Sequence, residues 1–134
     1  MEIEPENTQD VTIQPLGPNQ EKWLGAIESG KFIQGRDEYL CFDSKYCCLG
    51  VGCKVLNILE SNTREGALAF GVKGERRAAP QELIDKLDLF DKWGVDSSRD
   101  DGKRLSYFND SGMSFVSIAK LIRYDPSRYF KSSK

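Results

Sequence analysis

The chain has no histidine among its 134 residues. That absence closes Ser-His-Asp and Cys-His nucleophile activation and imidazole metal ligation to it. It also lacks any apolar run of the roughly 18 residues that a membrane-spanning helix requires. The opening Met1-Glu2-Ile3-Glu4-Pro5-Glu6 is acidic, where a secretory leader would be basic and then apolar. The expectation is a soluble, intracellular protein with no membrane partner. No glycine-rich phosphate loop follows a strand, because Gly50-Val51-Gly52 falls inside a predicted helix. A thiol near a helix start, such as Cys47, could act as a nucleophile, but without the usual base the reading is of a non-enzyme with no catalytic residue and no cofactor.

Basic residues are missing from the first 18 positions, which hold Glu2, Glu4, Glu6 and Asp10. The whole chain has 19 basic and 21 acidic residues, so its net charge of −2 belongs to this arm and the remainder is slightly positive. A body so close to neutral lacks the clustered Lys and Arg that displace counterions from a phosphate backbone, which argues against a nucleic-acid partner. The arm carries Pro5, Pro15 and Pro18 and little periodicity, so residues 1–18 are read as flexible, with Val11-Thr12-Ile13 a conceivable edge strand. Residues 19–134 are read as one globular domain with a short basic tail from about position 126.

The most informative stretch is Tyr46-Cys47-Cys48-Leu49-Gly50-Val51-Gly52-Cys53. Structural zinc sites set two ligands on one tight knuckle and two on another. Cys41, Cys47, Cys48 and Cys53 do not follow that spacing, and adjacent thiols on a helix diverge by about 100°. They read as reduced, buried packing groups, with no metal. Asp100-Asp101 and Asp110 read as helix-start or turn devices rather than a hard-cation site. Gly50 and Gly52 each cost a helix about 1 kcal/mol relative to Ala, so another backbone or a ligand is expected to approach them closely, most simply through a helix–helix notch.

The fold class expected is α+β: mostly helical, with a small two- or three-stranded antiparallel sheet and a C-terminal helical hairpin. A first helix capped by Asn19 runs to Ser29 and stops at Gly30, and Trp23 with Ile27 makes a docking face. Tyr39–Phe42 reads as a short strand, and Asp43 or Ser44 as the cap of a helix continuing to Leu59. Leu68–Val72 reads as a second strand that could pair with the first. Pro80 opens a helix carrying Leu83, Ile84 and Leu87, and Trp93 reads as core. Leu105–Phe108 ends a helix, Asn109–Met113 turns, and Ser114 caps a helix whose apolar face is Phe115, Ile118, Ala119 and Ile122. Gly-Met-Ser-Phe followed by Ile-Ala also looks like half of a helix-turn-helix DNA-binding unit, but no convincing reading helix follows.

Candidate binding residues are Trp23, the adjacent Arg76 and Arg77, which could grip a phosphate bidentately, and Asn109 and Asp110. The blocks Lys22-Trp23 with Ala26-Ile27 and Ser29-Gly30-Lys31-Phe32, Tyr46-Cys47-Cys48-Leu49-Gly50-Val51 with Cys53, and Leu105 with Asn109-Asp110-Ser111-Gly112 and Ser114-Phe115 resemble a family of small, mostly uncharacterised bacteriophage and prophage proteins. Similar proteins usually have a larger apolar residue where this chain has Gly52. The resemblance implies a phage accessory protein in the cytoplasm of an infected cell, and no catalytic residue. The function expected is non-enzymatic binding of a host protein, to counter a defence or redirect metabolism. The alternatives are sequestration of a small anionic ligand such as a signalling nucleotide, and a helix-turn-helix-like DNA binder. The oligomeric state is left open, a homodimer included.

Overall fold

Helix α1, Pro18–Glu28, carries Trp23, Leu24 and Ile27 on one buried face. The structure is a computed structural model that describes residues 15–36, 38–97 and 103–131. The acidic arm's Val11-Thr12-Ile13, the Asp100-Asp101 pair and the last three residues lie outside these. Helix α1 begins one residue earlier than Asn19, because Pro18 takes the first helical position and Gly17 the cap. Gln20 explains the shift: its Oε1 accepts from Gly17 N–H at 2.8 Å, and its Nε2 donates to Leu87 C=O at 2.8 Å.

Strands β1 (Cys41–Phe42) and β2 (Lys45–Tyr46) form an antiparallel hairpin. Asp43 and Ser44 form its two-residue turn, with φ of 53° and 63°, the left-handed pair that matches strand twist. They are therefore unavailable to cap the next helix, and the expected cap moves to Cys47, whose sulfur accepts from Gly50 N–H at 3.4 Å. Helix α2 is Cys48–Val55 and stops well short of Leu59. Asn57 adopts φ 59°, and Ile58 N–H turns back to Cys53 C=O at 3.0 Å, closing the last turn.

The chain then forms β3 (Glu60–Asn62) and β4 (Leu68–Phe70), paired antiparallel with Glu60 opposite Phe70. The second predicted strand thus pairs with a strand that the sequence did not announce. Its link to the first hairpin is a single bridge between Phe42 and Ala67. Helix α3 (Gln81–Leu87) follows Pro80, α4 is Leu105–Asp110, and α5 is Phe115–Tyr124. Ser114 caps α5 as expected, accepting from Ser117 N–H at 3.1 Å, and Phe115, Ile118, Ala119 and Ile122 are its buried face. The architecture is α+β, with five helices and two small antiparallel hairpins among the described residues.

Two features place the core. Gly50 lies against the backbone of Leu40: a Cβ there would fall on the Leu40 carbonyl oxygen and 2.6 Å from its carbon. The notch therefore admits a loop carbonyl rather than a second helix. The helix contact belongs to Gly52, where a Cβ would stand 3.1 Å from both Trp23 Cδ1 and Leu83 Cδ1. The other feature is the basic tail, which is built into the core. After α5 the chain makes a 3-10 turn, Pro126–Arg128, and Tyr129 and Phe130 are buried. Phe130 meets the Trp23 ring edge-on with centroids 6.1 Å apart. Arg128 reaches the buried Asp96 carboxylate, Nη2 to Oδ2 at 2.6 Å. Where a reading helix would have to be, the chain is spent on packing.

Candidate functional site

The four cysteines carry no disulfide and all are buried. Burial is the main reason that the Cys48 and Cys53 thiols are pushed well above the ordinary thiol pKa. Cys41 is raised more modestly, again chiefly by burial, with a Tyr46 hydrogen bond acting in the other direction. Among the described residues no group of three His, Cys, Asp or Glu is placed to hold a metal ion.

Two of the predicted binding residues are structural. Trp23 is fully buried rather than presented for docking, and its Nε1–H donates to Cys48 C=O at 2.8 Å. Asn109 lies inside α4 rather than in a turn and is also fully buried. Its Oδ1 accepts from Gln34 Nε2 at 2.8 Å and Cys48 N–H at 3.2 Å, and its Nδ2 donates to Gly35 C=O at 2.8 Å. A single amide thus ties α4 to the segment before β1 and to the start of α2, because a buried Asn must satisfy its full donor and acceptor set.

Arg76 and Arg77, adjacent in a bend, turn to different partners. Arg76 is held by Glu65 at 2.8 Å. Arg77 stacks on Tyr39, its guanidinium carbon 5.0 Å from the ring centroid, and donates to the Tyr39 hydroxyl at 3.4 Å. That hydrogen bond is the main cause holding the Arg77 pKa above its ordinary value. The two share only a shallow groove with Tyr39 and two glutamates, so they do not form one bidentate clamp.

A better-defined site lies on the other side of Arg77. It is a cleft of about 320 Å³ whose walls include Cys47, Arg77, Trp93, Arg104, Tyr107 and Asp110. Local rules place each group. Cys47 sits there because it caps α2. Trp93 is held outward by a turn in which Asp91 Oδ1 accepts from Trp93 N–H at 2.9 Å and Val95 N–H at 3.0 Å. Arg104 is the residue before α4 and bridges to Val95. On α4, Leu105 and Asn109 face the core, which leaves Tyr107 and Asp110 on the cleft side. Ser106 and Glu38 complete the lining.

The cleft's electrostatics are distinctive. Arg76, Arg123 and Arg128 are paired with carboxylates. Arg77 and Arg104, by contrast, have no carboxylate partner among the described residues and lie over aromatic rings, Arg104 at 5.8 Å from the Trp93 centroid. Lys103 lies over Tyr107 at 4.2 Å and Lys92 over Trp93 at 5.4 Å. Arg77, Arg104, Trp93 and Tyr107 of the cleft wall thus each take part in a cation–π contact, worth about 0.5–1 kcal/mol at an exposed site. A second hollow of about 340 Å³ between Val72 and the start of α3 has no aromatic wall, and its Glu82 is engaged with Val72 N–H at 2.7 Å.

The sequence reading found Arg77 and Asp110 but assigned Trp93 to the core and passed over Arg104 and Tyr107. The available signal was the adjacency Lys92-Trp93 and Lys103-Arg104 with Tyr107 three residues on, cations repeatedly set beside rings. Comparison of the chain with protein-family models, curated proteins and solved structures finds no match.

Proposed function

We propose that this is a non-enzymatic accessory protein of bacteriophage origin that captures a small anionic, ring-bearing ligand of the signalling-nucleotide class in the Cys47–Arg77–Arg104 cleft. The observation that carries the reading is the pair Arg77 and Arg104, two guanidinium groups without carboxylate partners among the described residues, on a cleft walled by Trp93 and Tyr107. Guanidinium groups bind phosphate through directed N–H donors, and aromatic faces hold a base by stacking. A mostly concave site with a few placed polar groups is the usual form of a small-ligand pocket. The thiol on its wall, Cys47, is only 5% exposed, and the chain has no histidine to activate it, which favours binding without turnover. Calorimetry of the full chain against a panel of nucleotides, with inorganic phosphate as a reference, tests the reading. Heat that disappears in Arg77→Ala with Arg104→Ala but persists in Arg76→Ala supports it, and no heat with any nucleotide refutes it.

A host protein as partner is the second reading, and the outward face of α5 favours it. Val116 and Tyr124 are exposed there on either side of Lys120, Tyr124 by 78%, and a few aromatic or apolar anchors dominate most interfaces. A pull-down from infected lysate with and without Val116→Ser and Tyr124→Ser tests it: a partner retained by the double variant does not use this face.

A further inference from the structure

Arg77 and Arg104 are held in a way that leaves their hydrogen-bonding edges open. A guanidinium stacked on a ring gives the ring its face and keeps its five N–H donors in the plane for another partner. Arg104 lies over Trp93, and its side chain donates to no other group among the described residues. Arg77 lies over Tyr39 and gives one donor, from Nη2, to the Tyr39 hydroxyl at 3.4 Å. Stacking also sets each fork in place before a ligand arrives, which lowers the cost of ordering it on binding. The two come from different parts of the chain, Arg104 from the start of α4 and Arg77 from the bend after β4, and both line the one cleft of about 320 Å³. A small ligand there meets two forks at once.

The number of forks decides between the two forms in which a nucleotide carries phosphate. A terminal phosphate monoester presents three acceptor oxygens and a charge of about −1.5 to −2 at neutral pH, so two guanidinium groups can each bridge a pair of its oxygens. A phosphodiester has two unesterified oxygens and a single charge, and one fork fills them. We propose that the cleft selects nucleoside monophosphates with a free terminal phosphate over cyclic and other diester nucleotides, with Arg77 and Arg104 sharing the phosphate and the base along the Trp93 and Tyr107 walls. The proposal rests on the anionic-ligand reading of the same cleft. A volume of about 320 Å³ is at the small end for ligand pockets and suits one nucleoside phosphate rather than a dinucleotide. Two carboxylates also line the cleft, Asp110 and Glu38. Asp110 is engaged by Asn109 Nδ2 at 3.1 Å, and Glu38 is exposed on the rim, where solvent ions screen it. Selection therefore comes from the directed donors of Arg77 and Arg104 and not from the net charge of the walls.

The test is calorimetry of the full chain with AMP, GMP, CMP and UMP, each beside its 3′,5′-cyclic diester and its 5′-phosphate methyl ester, which keeps the sugar open. The tightest monophosphate should bind about tenfold or more above either of its diesters, the size of one lost charge-assisted contact. Arg104→Lys keeps the charge but removes the fork, so it should bring that monophosphate to within about twofold of its methyl ester. Arg76→Ala, outside the cleft, should leave the ratio intact. Diesters that bind as tightly as the monophosphates, or more tightly, overturn monoester selection while the anionic-ligand reading stands. A preference that survives in Arg104→Lys, folded as judged by circular dichroism, overturns the assignment of Arg104. No binding by any of these nucleotides overturns both readings.

Discussion

Gly50 offers the sharpest test of how the fold is packed, because its neighbour is backbone and cannot rotate away. In Gly50→Ala the new methyl group would overlap the Leu40 carbonyl oxygen, and the Leu40 Cα would stand 3.2 Å from it. Leu40 is fully buried and held on both sides: its N–H donates to Arg76 C=O at 2.7 Å, and its carbonyl accepts from Cys47 N–H at 3.1 Å. Relieving the clash means moving this backbone, with an overpacking cost of about 1–3 kcal/mol and strain on a hydrogen bond worth about 0.5–1.5 kcal/mol. Alanine's better helix propensity returns about 1 kcal/mol. The net expectation is a loss of about 2 kcal/mol. Gly25 is the internal control: it lies in α1 with nothing within 4 Å of where its Cβ would be, so Gly25→Ala should stabilise by about 0.5–1 kcal/mol. Urea unfolding followed by circular dichroism measures both, through midpoints at unchanged slope. If Gly50→Ala were neutral or stabilising, the Leu40 backbone would not sit in the notch and the packing described above would be wrong.

Three further outcomes follow from the same structure. Asn109→Ala removes the partners of Gln34, Gly35 and Cys48 together and should cost on the order of 2–4 kcal/mol, so a change below about 1 kcal/mol in a urea melt would show that water replaces the amide. Arg128→Ala takes the Arg128 guanidinium away from the Asp96 carboxylate, 1% exposed, and should destabilise by about 3 kcal/mol, whereas a surface-like loss within about 0.5 kcal/mol would mean that Asp96 is held by its other contacts or by water. For the thiols, Cys48 and Cys53 stay protonated in the folded state beyond the pH at which they ionise when unfolded. Stability should therefore be level below the ordinary thiol pKa and fall as pH rises above about 9, by up to about 1.4 kcal/mol per pH unit for each thiol. In chemical melts across that range, Cys48→Ala should reduce the slope, and an unchanged slope would rule the thiol out as its source.

Where the sequence could be read, the reason is local. Ser114 followed by an apolar residue at every third or fourth place specifies α5 by itself, and Gly50 inside an apolar helix announces a close approach. What the sequence did not disclose depends on partners distant in the chain. Trp23 looks like a docking residue until Phe130, Gly52 and Leu83 are seen around it. Asn109-Asp110-Ser111-Gly112 has the composition of a turn, yet contacts from Gln34 and Gly35 hold Asn109 in the helix. Strand β3, Glu60-Ser61-Asn62, is wholly exposed and so lacks the apolar alternation that marks a strand, and its pairing with Leu68–Phe70 supplies what composition does not. The cleft was half legible: Arg77 and Asp110 stood out, but Trp93 and Arg104 reach it only because Asp91 and Val95 orient them.

The burial of Tyr129 and Phe130 also sets the order in which this chain can fold. The Trp23 ring edge, the Leu89–Phe130 bridge and the Lys131 N–H to Asp88 C=O bond at 2.7 Å all await residues made more than 100 positions after Trp23. A nascent chain that has exposed α1 to α5 at the ribosome still has an open core, and its apolar face stays available to holdases until residue 131 emerges. Completion of this fold is therefore timed by synthesis of the segment following α5 rather than by the helices that dominate its appearance.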